Sequence, residues 1–212
     1  MTMQVTREDL DPAEVEAERA LFEPLTAAVR ELVDATIRTL VEREEILSVT
    51  EQLDGLAQRL RARELPGGFG VRFTGAGAIR NHGNAVVGLR NAFAPPLEVG
   101  TSREQGSAWS EFELGAPYEG PPGLVHGGVV SLLFDQVLGE AAIAAGVPGM
   151  TANLAVAYLR GTPLGPLRIE ARVDRVEGRK VTVSGELSDG EGVTATAEGL
   201  FILPRSAAAW KS

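Results

Sequence analysis

The chain of 212 residues has no cysteine, which excludes disulfides, thiolate metal sites and a cysteine nucleophile in one step. Histidine is nearly as scarce. His82 and His126 are the only two, too far apart in the chain to form a recognisable ligand set, so no metal is expected. Bases are in the minority, 20 Lys and Arg against 29 Asp and Glu, and the net charge of −9 argues against nucleic acid or anionic membrane as a partner. No sharply localised basic cluster offsets it. A long apolar run is missing too: residues 129–147 are interrupted by Asp135, Gln136 and Glu140, which makes that stretch too polar and too short for a comfortable membrane span. The first twenty residues lack the basic and apolar regions of a secretory signal, so a cytoplasmic location is the expectation. What remains, 44% apolar and 23% charged, is the composition of an ordinary globular chain with a packed core.

The acidity is unevenly placed. Residues 1–65 hold 15 acids and 8 bases, residues 66–212 hold 14 and 12. The front section shows helical spacing in Leu25, Val29, Leu32, Val33, Leu40 and Val41, and again in Leu53, Leu56 and Leu60. Pro12 follows Asp11 as a first-turn proline, and Pro24 is expected to divide a short helix from a longer one. A turn at 65–70, LPGGFG, ends this extension. Beyond it the runs 85–89, 108–114, 152–159, 167–176, 180–187 and 193–203 have strand lengths, and the last three are joined by short glycine-containing connections. An antiparallel sheet is expected. One helix interrupts the strands, at about 127–145, apolar nearly all round and therefore buried on most sides. The expectation is an α+β chain: a helical extension at 1–65, a domain at 66–205 in which a curved antiparallel sheet wraps one long central helix, the arrangement called a hotdog fold, and a tail at 206–212.

The stretch PYEGPPGLVHGGVVSLLFDQVLGEA, residues 117–141, and TANLAVAYLRGTPLG, residues 151–165, resemble the PaaI-like hotdog thioesterases, especially their acyl-CoA hydrolysing relatives. The resemblance runs over about 108–203. In that family a Pro- and Gly-rich loop leads into His-Gly-Gly at the start of the central helix, and an acidic residue follows nine positions after the histidine. Here these are His126, Gly127, Gly128 and Asp135. A threonine and an asparagine open the next strand, matched by Thr151 and Asn153, and a basic residue ends it, matched by Arg160. The resemblance implies an acyl-CoA thioesterase that needs no cofactor.

The residues carry a chemistry of their own. Gly127 and Gly128 stand where a helix begins, so their N–H groups lack intrahelical partners, carry the positive end of the macrodipole and suit an oxyanion. An unpaired carboxylate on a mostly apolar helix is costly, so Asp135 calls for a role. Gly128 and Asp135 are seven residues apart, about 10.5 Å along the helix and nearly two whole turns, and so point the same way. One thioester carbonyl cannot touch both, since catalytic contacts need about 3 Å. Two copies with antiparallel central helices would bring Gly128 of one against Asp135 of the other, which implies a homodimer or a dimer of dimers. Asp135 would then serve as general base on water or as a nucleophile passing through an anhydride; both routes stay open. Thr151 would orient the water or the carboxylate. His126 would hold the loop and the thioester, because no G-x-S-x-G elbow supplies a serine nucleophile.

For the coenzyme phosphates, Arg160 is the leading cation, ahead of Arg168 and Arg205, with Asn153 also on the substrate. Leu132, Phe134 and Leu138 are expected to line the acyl pocket. His82, in the turn Asn81 to Asn84, is taken as a surface residue. Gly75-Ala76-Gly77 lacks the third glycine of a dinucleotide fingerprint. A second reading of the same features is a non-catalytic acyl-CoA sensor whose helical extension binds a protein. A hotdog dehydratase or hydratase lacks its aspartate and histidine pairing here.

Overall fold

The computed structural model describes residues 5–75, 79–95 and 97–204, so Arg205, the tail 206–212 and Gly77 of the glycine run lie outside the described residues. Chain order is strand β1 (Val5–Glu8), helix α1 (Pro12–Arg38), helix α2 (Arg43–Arg61), strands β2 (Val71–Thr74), β3 (Ile79–Arg80), β4 (Gly100–Ser102) and β5 (Ser107–Leu114). A 3-10 turn at Ala116–Tyr118 precedes helix α3 (Gly127–Ala144), followed by β6 (Met150–Tyr158), β7 (Gly165–Glu177), β8 (Lys180–Asp189) and β9 (Gly192–Ile202).

The main sheet is six-stranded, antiparallel throughout, in the order β4-β5-β7-β8-β9-β6. Alternation drives it. Ala108, Ser110, Phe112 and Leu114 of β5 are buried while the residues between them are not, and Leu167, Ile169 and Ala171 repeat this on β7. Together with Val181, Val183 and Leu187 of β8 and Ala195, Ala197 and Phe201 of β9 they enclose α3, which contributes Val130, Leu133, Phe134, Val137, Leu138, Ala141 and Ala142. Each large side chain fully buried there stabilises the fold by about 1.5–3 kcal/mol. Two glycines make room for the helix. A Cβ on Gly185 would lie 3.0 Å from Leu138 Cδ1 and 2.8 Å from the Glu170 carbonyl, and one on Gly199 would lie 2.8 Å from Leu138 Cδ2. This is the hotdog architecture. By length and composition α3 could cross a membrane, contrary to the expectation for this stretch, but here the sheet covers its seven core residues.

The front section is helical as its spacing predicts. Asp11 caps α1 in a reciprocal box with Glu14, both bonds at 2.9 Å, and Pro12 follows at the first turn. Pro24 does not divide the helix as expected. α1 runs through it, and the break falls between Arg38 and Arg43 instead. Pro24 and Ala20, whose carbonyl loses its helical donor, are both exposed, so water can take that donor's place. α1 docks on the loop after β3: Thr26 is buried, and Arg30 Nε donates to the Ala94 carbonyl at 3.1 Å. α2 buries no residue.

Three further expectations need correction. Residues 85–89 form turns, not a strand, because Asn84 Oδ1 accepts from the N–H groups of Val86 at 2.7 Å and Val87 at 3.0 Å and curls the chain around itself. Val86 is apolar because it is buried, 3% exposed. A small sheet, β1-β2-β3, escapes the sequence pattern, and its parallel β1–β2 pair joins residues on either side of the 65–70 turn. His82 is buried, 9% exposed, with its ring stacked on Phe69 at 4.9 Å. Arg80 beside it pairs with Glu8 and with Glu18 of α1, and these ion pairs draw the helix across the turn that holds the histidine.

Candidate active site

The loop before α3 is built to deliver His126 to the helix start. Gly120 donates to the Leu124 carbonyl at 2.9 Å, Gly123 to Glu119 Oε1 at 2.7 Å, and His126 N–H to the Tyr118 carbonyl at 2.9 Å. A Cβ on Gly120 would lie 2.7 Å from His126 Cα, so the turn closes only around glycine there.

His126 is the N-cap of α3, and its Nδ1 accepts from the Gly128 N–H at 2.9 Å. Because Nδ1 accepts, a ring proton sits at Nε2. The two glycines are therefore unlike. Gly128 N–H is engaged by the cap, whereas among the described residues nothing accepts from Gly127 N–H. The open amide at the positive helix end is that of Gly127, a distinction that sequence alone does not make.

Asp135 lies two turns further on, at the half-buried outward side of α3, and Thr151 Oγ1 donates to its Oδ1 at 2.8 Å. The strand is irregular at this point: the pairing of β6 with β9 shifts between Thr151 and Asn153, inserting Ala152 as an extra residue, the kind of bulge that re-aims a side chain. Thr151 thus reaches the helix. Asn153 is exposed and makes no hydrogen bond to this group among the described residues.

The structure joins His126 to Gly128 and Asp135 to Thr151, but not one pair to the other. Tyr158, which the sequence does not single out, and Ser131, which it sets aside as a nucleophile because it lies inside the helix, surround the helix start: the Tyr158 hydroxyl donates to the Gly127 carbonyl at 2.8 Å and lies 2.9 Å from Ser131 Oγ. No family-like motif marks either residue; the signal would have been Ser131 standing one helical turn after Gly127.

Two of the three expected cations are engaged elsewhere, and Arg205 lies outside the described residues. Arg160 grips Asp189 with two bonds, 2.8 and 2.5 Å, and donates to the Gly192 carbonyl at 3.0 Å. These bonds hold the Asp189 carboxyl down at about 2 and push the Arg160 guanidinium up, so the pair is ionised and its charges compensate one another. Arg168 lies between Glu111 and Glu170, at 2.7 and 3.1 Å. Of the expected pocket residues, Phe134 and Leu138 are fully buried against the sheet because the helix turns them inward; only Leu132 lies toward the outward face. A groove of about 720 Å³ on the outer sheet face and one of about 730 Å³ between α1 and α3 both lie away from Gly127 and Asp135.

A family model described as the thioesterase superfamily matches residues 122–196. Acyl-coenzyme A thioesterase THEM4 of Xenopus laevis is 38% identical over 94 residues, 43% of this chain and 42% of the relative. Acyl-coenzyme A thioesterase THEM5 of Homo sapiens is 29% identical over 94 residues, 43% of this chain and 38% of the relative. The match spans about two fifths of these relatives' lengths. A thioesterase superfamily protein of known crystal structure is 34% identical, covers 95% of this chain and is covered over 100% of its own, with a TM-score of 0.76. That coverage takes in the helical front section.

Proposed function

The chain belongs to the thioesterase superfamily, and from that premise we propose that it hydrolyses an acyl-CoA thioester at two equivalent sites of a homodimer. The observation that carries this reading is the Thr151–Asp135 bond on the outward side of α3, two turns from an open Gly127 N–H. A protomer by itself separates the Gly127 amide from the Asp135 carboxylate by eight residues, about 12 Å along the helix, too far for one carbonyl. Antiparallel apposition of two α3 helices closes that gap. The free edge of the sheet supports the same arrangement: β6 is an end strand, nine residues long, with Met150 66% and Tyr158 53% exposed, an unprotected edge that a second copy would cover.

In this reaction the thioester oxygen accepts from Gly127 N–H of one protomer, and the helix end stabilises the charge that develops there. Asp135 of the partner subunit, oriented by that protomer's Thr151, takes a proton from water as the water oxygen bonds the carbonyl carbon. Collapse of the tetrahedral intermediate breaks the C–S bond, and the proton passes to the departing thiolate. The alternative, attack by the carboxylate itself to give an anhydride that water then opens, uses the same geometry.

The test is thiol release from a panel of acyl-CoA thioesters by the full chain and by Asp135→Asn. Turnover lost in the variant, with oligomeric state kept, is expected. Equal turnover in both proteins sinks the assignment, and tight acyl-CoA binding without thiol release marks a sensor instead.

A further inference from the structure

Two consecutive glycines make a loose start for an α-helix, because neither restricts its backbone through a Cβ. In α3 that start is pinned from outside. The Gly127 carbonyl accepts from the Tyr158 hydroxyl at 2.8 Å and from Ser131 Oγ at 3.2 Å, and the two hydroxyl oxygens are 2.9 Å apart, so three oxygens close a triangle. At the other end of the same peptide unit, Gly128 N–H is held by His126 Nδ1. The 127–128 peptide is therefore fixed at both its oxygen and its nitrogen. The preceding peptide is fixed at its oxygen alone, since the His126 carbonyl accepts from Val129 N–H at 2.9 Å and from Val130 N–H at 3.2 Å. Gly127 N–H is left over, on a Cα whose two flanking peptides can no longer swing.

We infer that Tyr158, assisted by Ser131, is a positioning residue that holds the first turn of α3 so that the Gly127 N–H stays aimed as the oxyanion donor; this rests on the hydrolase reading above. Helix ends fray, and an oxyanion donor is effective only near 3 Å from the developing charge, so stiffness at this peptide is worth more than anywhere else on the helix. The hydroxyl comes from the last residue of β6 and so ties the helix start to the edge strand. The ring also covers the glycine: a Cβ on Gly127 would stand 3.5 Å from Tyr158 Oη.

Tyr158→Phe keeps the ring and removes only the hydroxyl. The expected result is a kcat lower by about tenfold, less than the roughly 10²-fold lost with an oxyanion donor itself. KM should stay within about twofold, because the hydroxyl acts through the backbone and not on bound substrate. Amide hydrogen exchange, read by NMR, is expected to speed up at Gly128 and remain unchanged at Val183 in the core. Ser131→Ala should add little alone and more in the Tyr158→Phe background, since both hydroxyls serve one carbonyl. Unchanged kcat together with unchanged Gly128 exchange in Tyr158→Phe overturns the inference. A wild-type chain that releases no thiol overturns the hydrolase reading, and the exchange measurement then decides by itself whether the clamp exists.

Discussion

The Thr151 hydroxyl donates to Asp135 Oδ1 across 2.8 Å, so the first turn of contact between edge strand and central helix is made by a group that also orients a carboxylate. The bond engages one carboxylate oxygen and leaves Oδ2 for water. Replacing Asp135 by Asn preserves shape and the contact with Thr151 but removes the proton acceptor, so kcat for thioester hydrolysis should fall by about 10²–10⁴. Thr151→Val, which loses only the orienting bond, should cost about tenfold. Thiol release measures both, and sedimentation should find the assembly unaltered. A Thr151→Val protein as slow as Asp135→Asn would mean that threonine does more than orient.

If amide and carboxylate come from different protomers, two dead variants should rescue each other. Gly127→Pro removes the open N–H, and Asp135→Asn removes the acceptor. A mixed dimer then contains one site with both defects and one with neither. Random reassortment makes half of the dimers mixed, so a denatured and refolded equimolar mixture should recover about a quarter of wild-type turnover. Recovery of nothing, with mixed dimers present by mass spectrometry, places both groups on one chain and removes the two-site scheme.

Much of this site could be read before any coordinates because its signals are local. His126, Gly127, Gly128 and Asp135 sit within ten residues, and helical geometry relates them without knowledge of the rest. The strand lengths and glycine-containing connections of β7, β8 and β9 are equally local signals, and each of these strands buries one face. What escaped depends on where individual side chains turn and on distant partners. Asn84 folding over Val86 makes a turn from a strand-like run, and Glu18 reaching Arg80 across 62 residues takes His82 out of solvent. Gly127 was not separable from Gly128 until the His126 ring was seen to cap one of them. Phe134 and Leu132 have similar chemistry, and on a helix apolar all round only the position of the sheet says which one faces inward.

That distinction has a measurable consequence. Phe134 is completely buried among strand residues, so Phe134→Ala should lower unfolding free energy by about 3–5 kcal/mol while leaving the ranking of acyl chain lengths as it was. Leu132, half-buried toward the outward side, should behave in the opposite way: Leu132→Ala costs about 1 kcal/mol and shifts the preferred acyl length. Urea unfolding and a chain-length series of acyl-CoA substrates separate the two. A changed chain-length ranking in Phe134→Ala would reinstate it as a pocket residue.

His82 gives the fold a pH dependence whose sign follows from its surroundings. Burial is the main cause that lowers its pKa below 6.5; Arg80 and Arg90 act in the same direction, and Glu18 opposes them. The unfolded chain therefore binds the proton more readily than the folded one. Stability contributed by the neutral ring is complete above the unfolded value of about 6.5 and is lost as pH falls toward the lower folded value. His126 is the only other histidine, and burial pushes the Glu140 carboxyl up, so the effect of His82 over the interval from about 5.5 to 7 is read as the difference between the wild-type chain and His82→Gln, in which both other groups are unchanged. Urea unfolding across that interval should show a midpoint that falls with acidification in the wild-type chain and a flatter profile in His82→Gln. Because the histidine stacks on Phe69 and faces Glu18 of α1, the same titration should loosen α1 before the main sheet, visible as earlier amide exchange at Thr26 than at Val183. Equal slopes in the two proteins would show that the proton is taken up elsewhere.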